Sequence, residues 1–231
     1  MKRIYWVLLL CSTMLLVACD KIKTSDISGL LEFKLNGEDL MVVNLGENFE
    51  DPGVHVKYWG KDVSSEVKVE GAVNTAEVGY YTLQYTFLNR DGIPTYASRV
   101  VIVADPKVSI DLSGKYSVQE GTHRLYAGAQ RDFSGPVVTI ERIAPGFFSV
   151  SDLFAGYYDQ FLKRNTASQR MSGYVELKAD NTLKLHKSFV PQWGDSLHGF
   201  SEATYNPEKG EIRYQATYVE GKMIFNVILK K

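Results

Sequence analysis

GYYTLQYTFLNRDG, residues 79–92, is the stretch whose reading decides the fold. Tyr81, Leu83, Tyr85 and Phe87 fall on one side of an extended chain, and Tyr80, Thr82, Gln84 and Thr86 fall on the other. Side chains of a strand alternate faces, so this period of two predicts a strand with one face packed on a core, as in antiparallel sheets. Asn89-Arg90-Asp91-Gly92 supplies a turn, and Ser98 to Val103 returns as a run of mostly β-branched residues.

The same pattern extends outward in both directions. Upstream, Leu31, Phe33 and Leu35 alternate with polar residues, Asn36-Gly37 is a turn dipeptide, Met41 to Val43 form a short apolar run, and Val67 and Val69 alternate again. Downstream, Asp105-Pro106 marks a boundary, because proline cannot donate to a ladder and biases the residue before it. After it, SGKYSV, PVVTIERI, GFFSVS, GYVELKA, NTLKLHKS, GEIRYQATYV and KMIFNVIL all read as strands. Ala179-Asp180-Asn181 and Glu220-Gly221 are the expected hairpin turns. Only Asp152 to Arg164 suggests a helix, with Leu153, Tyr157 and Phe161 at helical spacing and Gly156 weakening it. The expectation is an all-β chain, with one sandwich over residues 30–105 and a second antiparallel sandwich or barrel over 106–231.

The N-terminus carries a different signal. Lys2 and Arg3 precede an apolar run from Ile4 to Val17, too short for the ~20 residues of a spanning helix. Ala18 and Cys19 end it, and Asp20, Lys21 and Lys23 turn the chain polar. Residues 1–18 read as a secretory signal and 19–29 as a tether. Leu16-Val17-Ala18-Cys19 resembles the lipobox of bacterial lipoproteins, which implies that Cys19 becomes the lipidated N-terminal residue after cleavage. The chain has two cysteines, Cys11 and Cys19. Removal of one and acylation of the other would leave no thiol for a disulfide or metal site. A formal net charge of −1 provides no global basic field for nucleic acid.

Several motifs between residues 30 and 104 resemble bacterial Ig-like surface domains. They are DPGV at 51–54, the Gly79-x-Tyr81-x-Leu83-x-Tyr85 strand, the Asn89 to Gly92 turn and RVVIV at 99–103. The whole chain resembles two-domain lipoproteins of gut-type anaerobic Gram-negative bacteria. There, APGFFSVSDLFAGYYDQ at 144–160 is similar to a recurrent Gly-aromatic-x-Val-Ser-Asp…Gly-Tyr-Tyr motif. That resemblance implies an outer-membrane lipoprotein accompanying SusC/SusD-type importers of glycans or peptides. Surface-exported members usually carry an acidic run after the lipid cysteine. Here Lys21 and Lys23 follow Asp20, so both the cell-surface and the periplasmic face stay open.

Catalytic signatures are sparse. GDSL at 194–197 resembles the nucleophile block of the GDSL esterases, but no Asp-x-x-His follows Ser196 and His198 is only two residues away. His55, His123, His186 and His198 are far apart in sequence, and no metal or cofactor is expected. Asp152 and Asp159 on one helix face would be a carboxylate pair of glycosidase type. The stronger lead is aromatic. Phe147, Phe148 and Phe161 are assigned to the core. Tyr157, Tyr158 and Trp193 suit either a core or a ligand face, and Trp59 in KYWGKD is equally ambiguous. The candidate binding residues are therefore Tyr157, Tyr158 and Trp193, with Asp152 as a polar anchor. The expected function is a non-catalytic, membrane-anchored, ligand-binding accessory of glycan or peptide uptake. The alternatives are a structural or assembly lipoprotein without a small ligand and, further off, a GDSL-like or glycoside hydrolase.

Overall fold

The computed structural model describes residues 31–231. Cys19, the signal and the tether expected from the sequence lie outside the described residues. Strands account for 53% of the described residues, so the all-β expectation holds.

The first seven strands are β1 (Leu31–Leu35), β2 (Leu40–Asn44), β3 (Val54–Tyr58), β4 (Lys61–Asp62), β5 (Lys68–Glu70), β6 (Gly79–Leu88) and β7 (Pro94–Ala104). They form two sheets, β1-β3-β4 and β2-β7-β6-β5. β6 and β7 pair antiparallel over their whole length, from Gly79↔Val103 to Leu88↔Pro94. Leu83, Tyr85 and Phe87 on the inner face of β6 are buried, as their alternation requires. β2 runs parallel to β7, and no local turn signal specifies such a pairing.

A buried arginine ties the two sheets together. Arg99 is fully enclosed. Its Nε donates to the Glu38 carbonyl, one terminal nitrogen to Asp51 Oδ1 and the Tyr85 hydroxyl, and the other to the carbonyls of Asn36 and Gly53. The Tyr85 hydroxyl donates to Asp51 at 2.7 Å. All five guanidinium donors are therefore matched, which is the condition for burying such a charge.

The other ten strands are β8 (Gly114–Val118), β9 (His123–Tyr126), β10 (Ala129–Asp132), β11 (Val137–Ala144), β12 (Phe147–Val150), β13 (Ser172–Leu177), β14 (Leu183–Phe189), β15 (Gly199–Asn206), β16 (Glu211–Tyr218) and β17 (Met223–Lys230). They form one sheet in the order β10-β9-β17-β8-β11-β12-β13-β14, and β16 and β15 continue from β17. The sheet curls into a half-barrel. Its ends meet where Thr182 bridges Thr204 and the Tyr205 amide donates to the Asn181 carbonyl at 2.9 Å. Asn181, Glu220 and Gly221 all take positive φ in the two hairpin turns expected there.

The two halves touch through a small apolar cluster. Ile102 and Ala104 of β7 pack with Ala144 and Phe147, and the Tyr80 and Tyr174 rings lie 5.1 Å apart.

The expected helix over 152–164 is absent. A turn at Leu153–Gly156 leads into one five-residue π-helical turn, Tyr157–Phe161. Ala155 and Gly156 both have positive φ, at +56° and +72°, which breaks a right-handed helix before it can start. A Cβ on Gly156 would also lie 2.5 Å from Cβ of Pro136.

Candidate functional site

The segment 152–161 is a plug in the curled sheet, and its chemistry begins with Asp152. The Asp152 side chain is buried. Oδ1 accepts the amides of Phe154 and Met171 at 2.9 and 3.0 Å, and Oδ2 accepts the Gly156 amide at 3.0 Å. The carboxylate thus holds the turn in place of the backbone bonds that a helix would supply. Burial pushes its pKa up to about 7, against the opposing pull of those three amides and of Arg170. Leu153, Phe154, Ala155 and Tyr157 then enter the core of the sheet. Tyr157 packs edge-on to Phe133, Tyr158 and Phe225, with ring centroids 5.1, 5.1 and 5.5 Å away.

Two of the sequence-derived binding residues must therefore be corrected. Asp152 is a structural carboxylate with both oxygens committed to backbone amides, and Tyr157 is a core residue. Neither reaches solvent. Asp159 is also not the free partner of a carboxylate pair, since Arg170 Nε and a terminal nitrogen reach its Oδ2 at 2.8 and 2.6 Å.

Tyr158 and Trp193 are brought together. Trp193 sits in the tight loop closed by the Val190↔Asp195 bridge, where the Gly194 amide donates to the Val190 carbonyl at 3.0 Å and Gly194 takes φ +63°. Ser168 pins the loop from outside: its carbonyl accepts the Gln192 amide at 2.8 Å and its hydroxyl donates to Gln192 Oε1 at 2.9 Å. The Trp193 ring lies edge-on to Tyr158 at 5.2 Å and 6.1 Å from Tyr218. Tyr158 is 8% exposed and Trp193 42%, so the tyrosine is a floor and the tryptophan the open face.

Charged groups rim this aromatic surface. The Arg164 guanidinium stands 5.3 Å over the Tyr158 ring, and that of Arg124 lies 5.0 Å from the Tyr157 ring. Arg124 Nε is buried with no hydrogen-bond partner among the described residues. Burial raises the Tyr218 pKa, with the Asp195 carboxylate beside it adding to the shift. Burial raises that of Tyr158 as well. Sequence reasoning missed Arg124, Arg164 and Tyr218, because they come from β9, the end of the plug and β16. No motif spans elements so far apart.

The remaining candidates are dispersed. Ser196 follows the bridge, with its amide bonded to Asp195 Oδ1, and among the described residues no hydrogen bond joins it to His198. The His198 ring faces Tyr218 at 6.2 Å. His186 is bonded to Glu176 at 2.7 Å, and His123 to Asn226 at 3.0 Å. Among the described residues no group of three metal-ligating side chains converges. Phe148 is buried in the core of the curled sheet with Phe161 partly buried against it, and Phe147 is buried in the cluster between the two halves. Trp59 is exposed on the first domain.

Comparison with known proteins follows the same two-part division. A family model of bacterial surface protein Ig-like domains matches residues 33–103, and a model of a C-terminal domain matches 105–231. The chain is 32% identical to the lipoprotein BT2262 from Bacteroides thetaiotaomicron, over 87% of this chain and all of that one, with a TM-score of 0.51. A Bacteroides ovatus protein of unknown function is 13% identical over 87% of this chain and 93% of that one, and its TM-score of 0.30 carries no argument. No curated protein matches. The chain belongs to the family of the Bacteroides thetaiotaomicron lipoprotein.

Proposed function

We propose that the chain is a non-catalytic lipoprotein, anchored in the outer membrane through Cys19, that binds a glycan or peptide as an accessory of a SusC/SusD-type uptake system. One observation carries the binding part: Trp193 is an open aromatic face, held by a pinned loop over a tyrosine floor and rimmed by arginines. Flat aromatic surfaces of this kind stack on sugar rings or on peptide side chains, and the tyrosine and arginine donors supply orientation. Nucleophilic chemistry is not part of this reading, because Ser196 lacks the oriented base that would activate it. The membrane part is supported by the lipobox-like LVAC sequence and by kinship with a Bacteroides lipoprotein.

The burial of Asp152 and Tyr157 favours a second reading, in which the segment serves only to plug the sheet and the protein has an assembly role. Trp193→Ala separates the two. The binding reading expects about tenfold weaker retention of array-identified glycans or peptides, with the melting temperature within about 3 °C of wild type. No glycan or peptide hit for the wild type, or a steep fall in melting temperature for the variant, supports the assembly reading.

A further inference from the structure

The first domain exposes a second aromatic and aliphatic surface at the end remote from the plugged sheet. Four large apolar residues there, Trp59, Leu88, Ile93 and Tyr96, are each 59 or 60% exposed. Register and the packing of Tyr58 place them at one end of the domain. Leu88 pairs with Pro94 and Thr86 with Tyr96, so Leu88 and Tyr96 share the outer face of the β6–β7 hairpin. Ile93 closes that hairpin, its carbonyl accepting the Asn89 amide. Trp59 follows β3 in the other sheet, and Tyr58 joins the two, lying 5.7 Å from Phe87 and 6.3 Å from Trp59.

Chain entry is at the same end. β1 begins at Leu31, and Leu31 pairs with Tyr58. Residues 20–30 separate it from Cys19, and so short a segment spans at most about 40 Å when fully extended. The opposite end of β6 and β7 meets the second domain through Tyr80, Ile102 and Ala104. Along β6, Tyr80 and Leu88 are eight residues apart, about 27 Å at strand rise.

We propose that this tip is a lipid-docking surface that rests in the headgroup region of the bilayer holding the Cys19 anchor. Exposed apolar patches mark interaction sites, and tryptophan and tyrosine favour the membrane–water interface, where the ring is buried and the polar edge stays wet. Charge fits a neutral interface: Lys61 and Arg90 lie beside Asp62 and Asp91 in sequence, so formal charges cancel at the tip. Attachment is therefore apolar, with little dependence on salt. A single anchor with a free tether would let the protein swivel. A second contact at the tip gives it a fixed stance and carries the plugged sheet away from the membrane.

The test uses residues 19–231, in which Cys19 is the single cysteine, coupled through a maleimide lipid to phosphatidylethanolamine/phosphatidylglycerol vesicles. Coupling supplies the anchor whether or not the cell lipidates Cys19, so failure of the anchor and failure of the tip are distinguishable. In a Trp193→Phe background Trp59 is the one tryptophan of residues 19–231. Brominated lipids should quench its emission at least twofold, vesicles should shield it from iodide, and 0.5 M salt should change neither. In the reciprocal Trp59→Phe protein, Trp193 emission should not respond to brominated lipid. Equal iodide access to Trp59 with and without vesicles, with no bromolipid quenching, overturns the proposal. A dimer in solution that Trp59→Ala with Ile93→Ser abolishes would assign the patch to a second copy and overturn it too.

Discussion

Asp51→Asn attacks the first domain at the one place where, among the described residues, its two sheets are joined by charge. Asp51 Oδ1 accepts from Arg99, from the Tyr85 hydroxyl and from the Gly53 amide. The amide variant keeps the shape and one acceptor oxygen but removes the negative charge facing a fully enclosed guanidinium. Removing one partner of a buried pair costs about 3–5 kcal/mol. The Asp51 side chain is 26% exposed, so solvent screens part of that interaction, and about 2–3 kcal/mol is expected for the variant. Arg99 still reaches three carbonyls, which is why the domain should fold at all. For a domain of this size about 2–3 kcal/mol lowers the melting temperature by about 10 °C or more. Calorimetry on residues 19–231, with Trp59 fluorescence in a Trp193→Phe background as a local probe, reads the change. Tyr85→Phe, which removes the hydroxyl between the two charges, should cost about 1 kcal/mol. An Asp51→Asn protein melting within about 2 °C of wild type would show that the carbonyls alone hold Arg99, and the reasoning would fail.

Two further outcomes are expected. Asp152 has a folded pKa near 7 because it is buried, well above the ordinary ~4 of an unfolded aspartate. The folded state therefore holds the extra proton between these values, and the stability that Asp152 contributes is fully present below about pH 4 and lost as pH rises towards 7. Asp152→Asn lacks that slope, so the wild-type advantage over it, read by urea denaturation, should shrink by a few kcal/mol between pH 4 and 7; a constant difference refutes it. Cys19→Ala should leave an uncleaved precursor or release the protein from the membrane fraction. Unchanged processing together with intact membrane association would remove the lipid anchor from the account.

Much of the fold was legible because β structure writes itself into sequence with a period of two. Tyr81 to Phe87 gave one face of β6 by alternation alone, and Asn181 and Gly221 marked hairpins because turns there need positive φ. The plug was misread for a physical reason. Leu153, Tyr157 and Phe161 sit four apart and all pack inward, which satisfies the spacing rule for a helix without forming one. The deciding fact was a carboxylate accepting three backbone amides, one of them from Met171, and nothing local in the sequence announces it. The same long reach hid Arg99. It looks like a lone charge at the start of RVVIV; Tyr85 lies 14 residues away and its other partners 46 to 63. Trp193 was better placed, since a glycine-flanked aromatic outside the strands has little core to enter.

The residues with the strongest motif character are thus the ones committed to structure. DPG and the arginine of RVVIV form the clamp between the first two sheets, and SDLFAGYY forms the plug of the third. Both devices satisfy buried polar groups internally, and a group whose hydrogen bonds are already matched has nothing to offer a ligand. In the proposed reading, binding comes from side chains that packing leaves over. Two tryptophans answer to that description, and they differ in their surroundings. Trp59 stands with aliphatic neighbours and cancelled charge at the end where the chain enters, which suits a lipid interface. Trp193 stands with tyrosines and arginines on the domain at the other end of β6, which suits a polar ligand. The apolar cluster of Ile102, Ala104, Ala144 and Phe147 lies between the two domains, so under the two proposals a stance set at Trp59 would be passed to the domain that carries Trp193.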